Sequence, residues 1–172
     1  TAARRMDRLI TDALAFSKVL QHELPIAPVD SASLIQGMID SYPMFQPPRA
    51  RIEIQGEIPL LLANEAGLTQ CLSNLLGNAV KFVDKSCVPE VKIGADRRDG
   101  VVRLWVQDNG IGISHDMQSR VFGMFQRASK DYEGTGIGLA LVQKIAQRMG
   151  GTVGVESEPG RGSRFWLELR AA

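Results

Sequence analysis

The sequence predicts an α+β fold, a two-layer sandwich in which three helices cover one face of a mixed, largely antiparallel sheet, preceded by a separate bundle helix. Three observations predict it. Strand-like segments follow one another through tight turns, at Asp99-Gly100 and at EPGRG, which favours antiparallel neighbours. Three helical apolar patterns lie between the strand patterns. The first two dozen residues differ from the rest and end at Pro25 and Pro28, which cannot continue a helix.

That first segment, RRMDRLITDALAFSKVL, spaces Met6, Leu9, Ala13, Phe16 and Leu20 three and four apart and so forms one apolar stripe. A lone helix cannot bury it, so the stripe calls for a partner helix in a bundle or coiled coil, a docked core helix being the alternative. The predicted division is residues 1–24 for this helix and 25–172 for the main domain. Asp30 is placed to cap a helix reaching about Met38 to Tyr42, and Pro43, Pro47 and Pro48 then interrupt the chain. RIEIQG and LLLA read as short strands. Asn64 opens a long helix to about Phe82, followed by the strands VKIGADRR and VVRLWVQD. From Ser114 to Glu133 the chain is polar with little periodicity apart from VFGMF. A helix over 137–148, a Gly150-Gly151 stop and the strands TVGVES and SRFWLELR complete the pattern.

Composition excludes several classes. The chain has 172 residues, 44% hydrophobic and 23% charged, enough for one substantial core, and its formal net charge of +1 offers no global field to nucleic acid or an anionic membrane. No segment approaches the ~18 apolar residues of a membrane-spanning helix, which points to a soluble, cytoplasmic piece without direct membrane contact. Cys71 and Cys87 stand in no metal-like or paired spacing and read as packing residues in a reducing compartment.

Three polar clusters interrupt this pattern. GTGIGLAL, 134–141, alternates glycines and then enters a helix; it is either a plain turn or an anion cradle built from unpaired helical amides. DNGIGI, 108–113, follows a strand and on its own reads as a turn. LSNLLGNAVKF places Asn74, Asn78 and Lys81 on one face of an otherwise apolar helix. Two amides and an ammonium are costly on a core helix unless they bind something, and an oxygen-rich anion with a hard cation suits them. Asn78 can offer a carbonyl oxygen to Mg²⁺, Lys81 a charge to phosphate, the glycine amides a cradle, and Asp108 an acceptor for an exocyclic amine. Together these groups describe a site for ATP and Mg²⁺.

In order and spacing, NLLGNAVKF, DNGIG, VFGMFQR and GTGIGLAL resemble the asparagine, first glycine, phenylalanine and second glycine boxes of the sensor histidine kinase catalytic domain. That domain belongs to the ATPase superfamily that includes gyrase, Hsp90 and MutL. RRMDRLITDALAFSKV is similar to the second helix of the family's dimerisation and phosphotransfer domain, and GGTVGVESEPGRGSRFWLEL to its closing hairpin. The resemblance implies transfer of the ATP γ-phosphoryl to a histidine, relay to an aspartate of a response regulator, a homodimer, and a flexible lid over about Ile113 to Glu133.

By that resemblance Asp108 reads adenine, with Gly110 and Gly112 close to the base and Ser163 holding a water to it. Asn78 ligates magnesium, and Asn74 and Lys81 approach phosphate. Gly134, Thr135, Gly136, Gly138 and Leu139 bound the triphosphate and the return of the lid. Arg127 resembles the basic residue offered to the γ-phosphate, although for Arg127 and Lys130 a solvated lid face is the other reading. Phe122 and Phe125 resemble lid anchors, or else are ordinary core residues.

A dinucleotide-binding fold is disfavoured because residue 139 is Leu and no strand precedes the glycines. In a sister ATPase a glutamate stands one turn before the magnesium asparagine; here that position is Asn74, an amide that cannot act as a base. A degenerate binding module is the third alternative, disfavoured by four intact motifs. QHELP, 21–25, imitates a phosphoacceptor signature, but His22 comes at the end of its helix, which places the acceptor upstream of Thr1. His115 reads as a solvated lid residue.

Overall fold

A computed structural model describes residues 2–172. Helix α1 (Ala2–Gln21) leads through the short strand β1 (Ala27–Val29) to α2 (Ser31–Ser41). After a 3₁₀ turn at Pro43–Phe45 come β2 (Arg51–Ile54), β3 (Leu61–Ala63) and the long helix α3 (Glu65–Lys81). Strands β4 (Glu90–Arg98) and β5 (Val101–Asp108) precede the one-turn helix α4 (His115–Gln118), then α5 (Gly138–Arg148), β6 (Thr152–Glu158) and β7 (Gly162–Arg170). The main sheet runs β2-β4-β5-β7-β6, parallel only between β2 and β4. The predicted mixed, largely antiparallel sheet is therefore observed.

Local chemistry sets these boundaries. Asp30 caps α2 by accepting from the Ser33 N–H at 3.0 Å, and Asn64 caps α3 by accepting from the Gly67 N–H at 2.9 Å. Asp99 and Gly100, both at positive φ, close the β4–β5 hairpin. Helix α5 ends at Gly150, whose φ of 75° lets the Gly151 N–H turn back to the Ala146 carbonyl at 2.8 Å. Strand β1 lies in a stretch read from sequence only as a connection. It pairs antiparallel with β3, with Pro28 opposite Leu62, and a proline is tolerated in so short an edge strand.

The core lies between the sheet and helices α2, α3 and α5. Ile35, Leu68, Leu72, Leu76, Leu141 and Ile145 face Ile93, Leu104, Leu167 and Leu169, all essentially inaccessible. Cys71 is buried among them, and burial pushes its thiol up to about 12, so it packs inertly as the sequence implied. Cys87 departs from that expectation: it is exposed in the loop after α3.

On the opposite face of the sheet Trp105 and Trp166 are register partners. Each lies over a glycine of the next strand out, Gly94 and Gly154, and beneath a guanidinium, Arg164 at 4.4 Å and Arg103 at 4.1 Å. A Cβ on Gly94 would stand 2.3 Å from Trp105 Cζ2.

Helix α1 docks on its own domain. Ala15, Phe16 and Val19 pack against the core, and the Arg148 guanidinium donates to the Val19, Leu20 and His22 carbonyls at 2.6, 2.9 and 2.7 Å. The single stripe expected from sequence is thus divided. Phe16 turns inward, whereas Met6 and Leu20 join Ile10 and Leu14 on an exposed apolar face.

Gly94→Ala is expected to displace Trp105 and lower stability by about 1–3 kcal/mol. Urea unfolding followed by tryptophan fluorescence measures it.

Candidate nucleotide-binding site

The cleft opens between α3, the end of β5, the lid and the start of α5. Asp108 lines its wall, half-buried. Strand β5 carries this carboxylate on the inward side of the sheet, in line with Val102, Leu104 and Val106, so it is flanked by core. The Gly110 and Ser163 N–H groups both donate to Oδ1, at 2.8 and 3.1 Å, which leaves Oδ2 for a ligand. Burial raises the carboxyl to about 6, and those two amides only partly offset it.

The backbone around Asp108 is packed too closely for side chains. Gly112 has a φ of 73°, and a Cβ there would stand 2.1 Å from the Glu158 carbonyl oxygen. Gly110 lies behind the carboxylate, where a Cβ would meet the Phe82 carbonyl oxygen at 2.4 Å. It is a predicted ligand-binding residue that does not line the cleft; it shapes the wall by supplying an amide to Asp108. Ser163 lines the cleft, but its hydroxyl is 2.8 Å from that of Ser157. Ser157, absent from the sequence reading, accepts from the Ile113 N–H at 2.8 Å and donates to the Gly162 carbonyl at 2.9 Å. It joins the hairpin to the start of the lid.

Helix α3 supplies Asn74, Asn78 and Lys81 to the cleft wall, all half-buried on the face predicted from their spacing. The Asn74 amide donates to the Gln70 carbonyl at 2.9 Å, and its oxygen faces Gly138, where a Cβ would be 2.6 Å away. Lys81 is held below the usual lysine range by burial, then by the positive charges of Arg8 and Arg127. Opposite it, Gly134, Thr135, Gly136, Gly138 and Leu139 form the approach to α5. No side chain caps the amino end of this eleven-residue helix, which begins at the cleft with its first amides unpaired by any side chain.

The lid is less uniform than the sequence suggests. Phe122 anchors it, edge-on to Phe165 with ring centroids 6.2 Å apart, and Val121 is buried. Phe125 is not an anchor: it is 63% exposed, with a φ of 61° set by the close pass of the Gly136 backbone. Arg127 turns its guanidinium onto the lid's own Tyr132 carbonyl at 2.5 Å. Tyr132, a lone aromatic in a polar loop, stacks at a tilt 5.3 Å from Phe82 and donates to the Val83 carbonyl at 3.0 Å. Periodicity could not have marked it. His115 and His22 are exposed and neither lines the cleft.

The residues fit an adenine nucleotide. A buried acceptor is open at one end, and an uncapped helix terminus lies with Lys81, Arg8 and Arg127 in the same cleft. Among the described residues no group of three or more His, Cys, Asp or Glu could hold a metal ion. An asparagine oxygen alone suits magnesium only when the nucleotide's phosphates and water complete the shell.

Residues 63–172 match the family described as histidine kinase-, DNA gyrase B-, and HSP90-like ATPase. The chain belongs to that ATPase family. Within it the fold is that of a histidine kinase catalytic domain. The catalytic domain of histidine kinase ThkA superimposes with a TM-score of 0.71 at 22% identity, over 85% of this chain and 95% of that one. Full-length ShkA in complex with AMPPNP superimposes with a TM-score of 0.77 at 38% identity, over 95% of this chain and 36% of that one. The chain is also 33% identical over 190 residues to the sensor histidine kinase AruS of Pseudomonas aeruginosa, covering 100% of this chain and 18% of that protein. It therefore spans about a fifth of that relative's length. The resemblance drawn from the four sequence motifs is borne out.

The raised Asp108 carboxyl has a consequence for stability. Its ordinary value is 3.8, so between pH 3.8 and about 6 the folded state holds a proton that the unfolded chain has released. The contribution is most favourable below that window and is lost as pH rises through about 6, leaving a cost of about 3 kcal/mol at neutral pH. Asp108→Asn keeps the acceptor for both amides without the charge. It is expected to raise stability at pH 7 by about 1–2 kcal/mol, a gain that disappears near pH 4. Thermal unfolding at both pH values checks it.

Proposed function

We propose that residues 25–172 bind MgATP and, in the intact protein, transfer its γ-phosphoryl group to a histidine for relay to an aspartate of a response regulator receiver domain. Residues 1–24 are the second helix of a dimerisation and phosphotransfer domain, whose exposed Met6, Ile10, Leu14 and Leu20 meet its other helices and the homodimer partner. The protein works in the cytoplasm, whether alone or as part of a larger sensor; none of the described helices is long and apolar enough to cross a membrane.

The observation that carries this reading is the half-buried Asp108 carboxylate with one free oxygen, in the same cleft as Lys81 and the uncapped start of α5. Oδ2 accepts from the adenine amine, while Gly112 gives the base a close approach to backbone. Asn78 offers its carbonyl oxygen to magnesium, which neutralises and orients phosphate charge when bound. Lys81 and the amides at 136–139 hold the phosphate oxygens, with Asn74 beside them. Arg127 leaves the Tyr132 carbonyl for the γ-phosphate when the lid closes. These residues position and neutralise, and none forms a covalent bond to the phosphoryl group.

Transfer rather than hydrolysis follows from Asn74. Its amide is held between the Gln70 carbonyl and Gly138, where it cannot take a proton from water. The acceptor is a histidine other than His22 or His115, because neither reaches the cleft. Its imidazole nitrogen attacks the γ-phosphorus as the bond to the bridging oxygen breaks and ADP leaves.

Calorimetry with MgAMPPNP is expected to show Asp108→Ala weaker by about tenfold or more, the loss of one charged hydrogen bond. Wild-type affinity is expected to fall as pH drops below about 6 and the carboxylate protonates. Unchanged affinity in Asp108→Ala would place the base elsewhere. Asn78→Ala is expected to remove the dependence of binding on Mg²⁺. ATP hydrolysis by the wild type is expected to stay far below ~1 per second, and a rate at that level would favour a hydrolase over a kinase.

A further inference from the structure

Two charged residues of α1 line the cleft although the helix precedes the region matched to the ATPase family. Asp12 accepts from the Thr135 hydroxyl at 2.5 Å, and Arg8, one turn earlier, stands at the mouth of the cleft. The helix is held there from its far end, where Arg148 binds three carbonyls and Phe16 and Val19 pack on the core. Arg8 therefore enters the cleft on a docked rod rather than on a loose tail.

Its present partner is weak. The guanidinium is 3.8 Å from Glu133 Oε2, with the two side chains 62% and 88% exposed, a pair that contributes little and exchanges readily. Its charge nevertheless reaches Lys81, whose ammonium Arg8 and Arg127 disfavour and the Glu133 and Asp12 carboxylates only partly support. Two cations that repel one another across a cleft are reconciled by an anion between them.

The geometry points to Arg8 as a polyphosphate-binding residue that the bundle helix contributes to the catalytic domain, exchanging Glu133 for the terminal phosphates when nucleotide binds. This rests on the MgATP reading and extends it to a residue outside the four motifs. Docking of α1 and occupancy of the γ-phosphate position are thereby linked, and the linkage is reciprocal: a nucleotide that grips Arg8 holds the helix down, and a docked helix tightens that nucleotide. AMP, which does not reach the cation, gains nothing from the helix.

The test is calorimetry of the 172-residue chain with Mg²⁺ and AMPPNP, ADP or AMP. Arg8→Gln is expected to weaken AMPPNP about five- to tenfold, ADP less, and AMP not at all. Glu133→Gln is expected to tighten AMPPNP about two- to threefold in the wild-type background and to have no effect in Arg8→Gln, the coupling of a shared partner. Equal affinities of wild type and Arg8→Gln for AMPPNP, or equal losses for all three nucleotides, would overturn the assignment. Asp108→Ala, by contrast, is expected to lower all three together. A wild type that binds none of the three would overturn the nucleotide reading itself and this assignment with it.

Discussion

A half-buried carboxylate at the end of a central strand constrains everything around it. Asp108 sits where the sheet turns its apolar face to the helices, so its charge has lost most of its water and has two backbone amides as replacement. To bring those amides within reach, the loop after β5 must pass against Phe82 and the β6–β7 hairpin must fold over it. Neither passage leaves room for a side chain at Gly110, Gly112 or Gly162. The glycines are needed first for protein-to-protein contact, and the space a ligand can use is what remains. The other carboxylate oxygen takes no protein hydrogen bond and stands at the cleft.

Helix α3 does a similar double duty. One side carries Leu68, Leu72, Leu75 and Leu76 into the core; the adjoining stripe holds Asn74, Asn78 and Lys81 at the cleft. Because the leucines lock the helix against the sheet, the polar stripe cannot rotate away from the cleft, and its residues are held in place before any ligand arrives. The lid has little of that support. Phe122 and Val121 hold one end and Tyr132 the other, while Met124 and Phe125 remain exposed between them. A segment with two attachments and a weakly packed centre can change shape without disturbing the core.

The leading helix belongs to two structures at once. Its inner face is tied to α5 by Arg148 and Phe16, and its outer face still carries an apolar row suited to other helices. That places the leading helix in direct contact with the cleft through Asp12 and Arg8.

The sequence by itself determined what depends on periodicity and on local chain chemistry. Helix and strand positions, the caps at Asp30 and Asn64, the stop at Gly150, the common face of Asn74, Asn78 and Lys81, and the four ordered motifs were all legible, because each is encoded within about ten residues. Only the tertiary structure decided features that join distant residues. Strand β1 exists because β3 offers it a partner across more than thirty residues. Ser157 and Tyr132 matter because the hairpin and α3 come to lie beside them. Gly110 and Gly112, which the resemblance set beside the base, are hemmed in by the Phe82 and Glu158 carbonyls. Along α1 the pattern of apolar residues could specify an amphipathic helix but not which apolar row would face its own domain. Packing against α5 and the Arg148 contacts made that choice, since a helix buries whichever face meets a complementary surface.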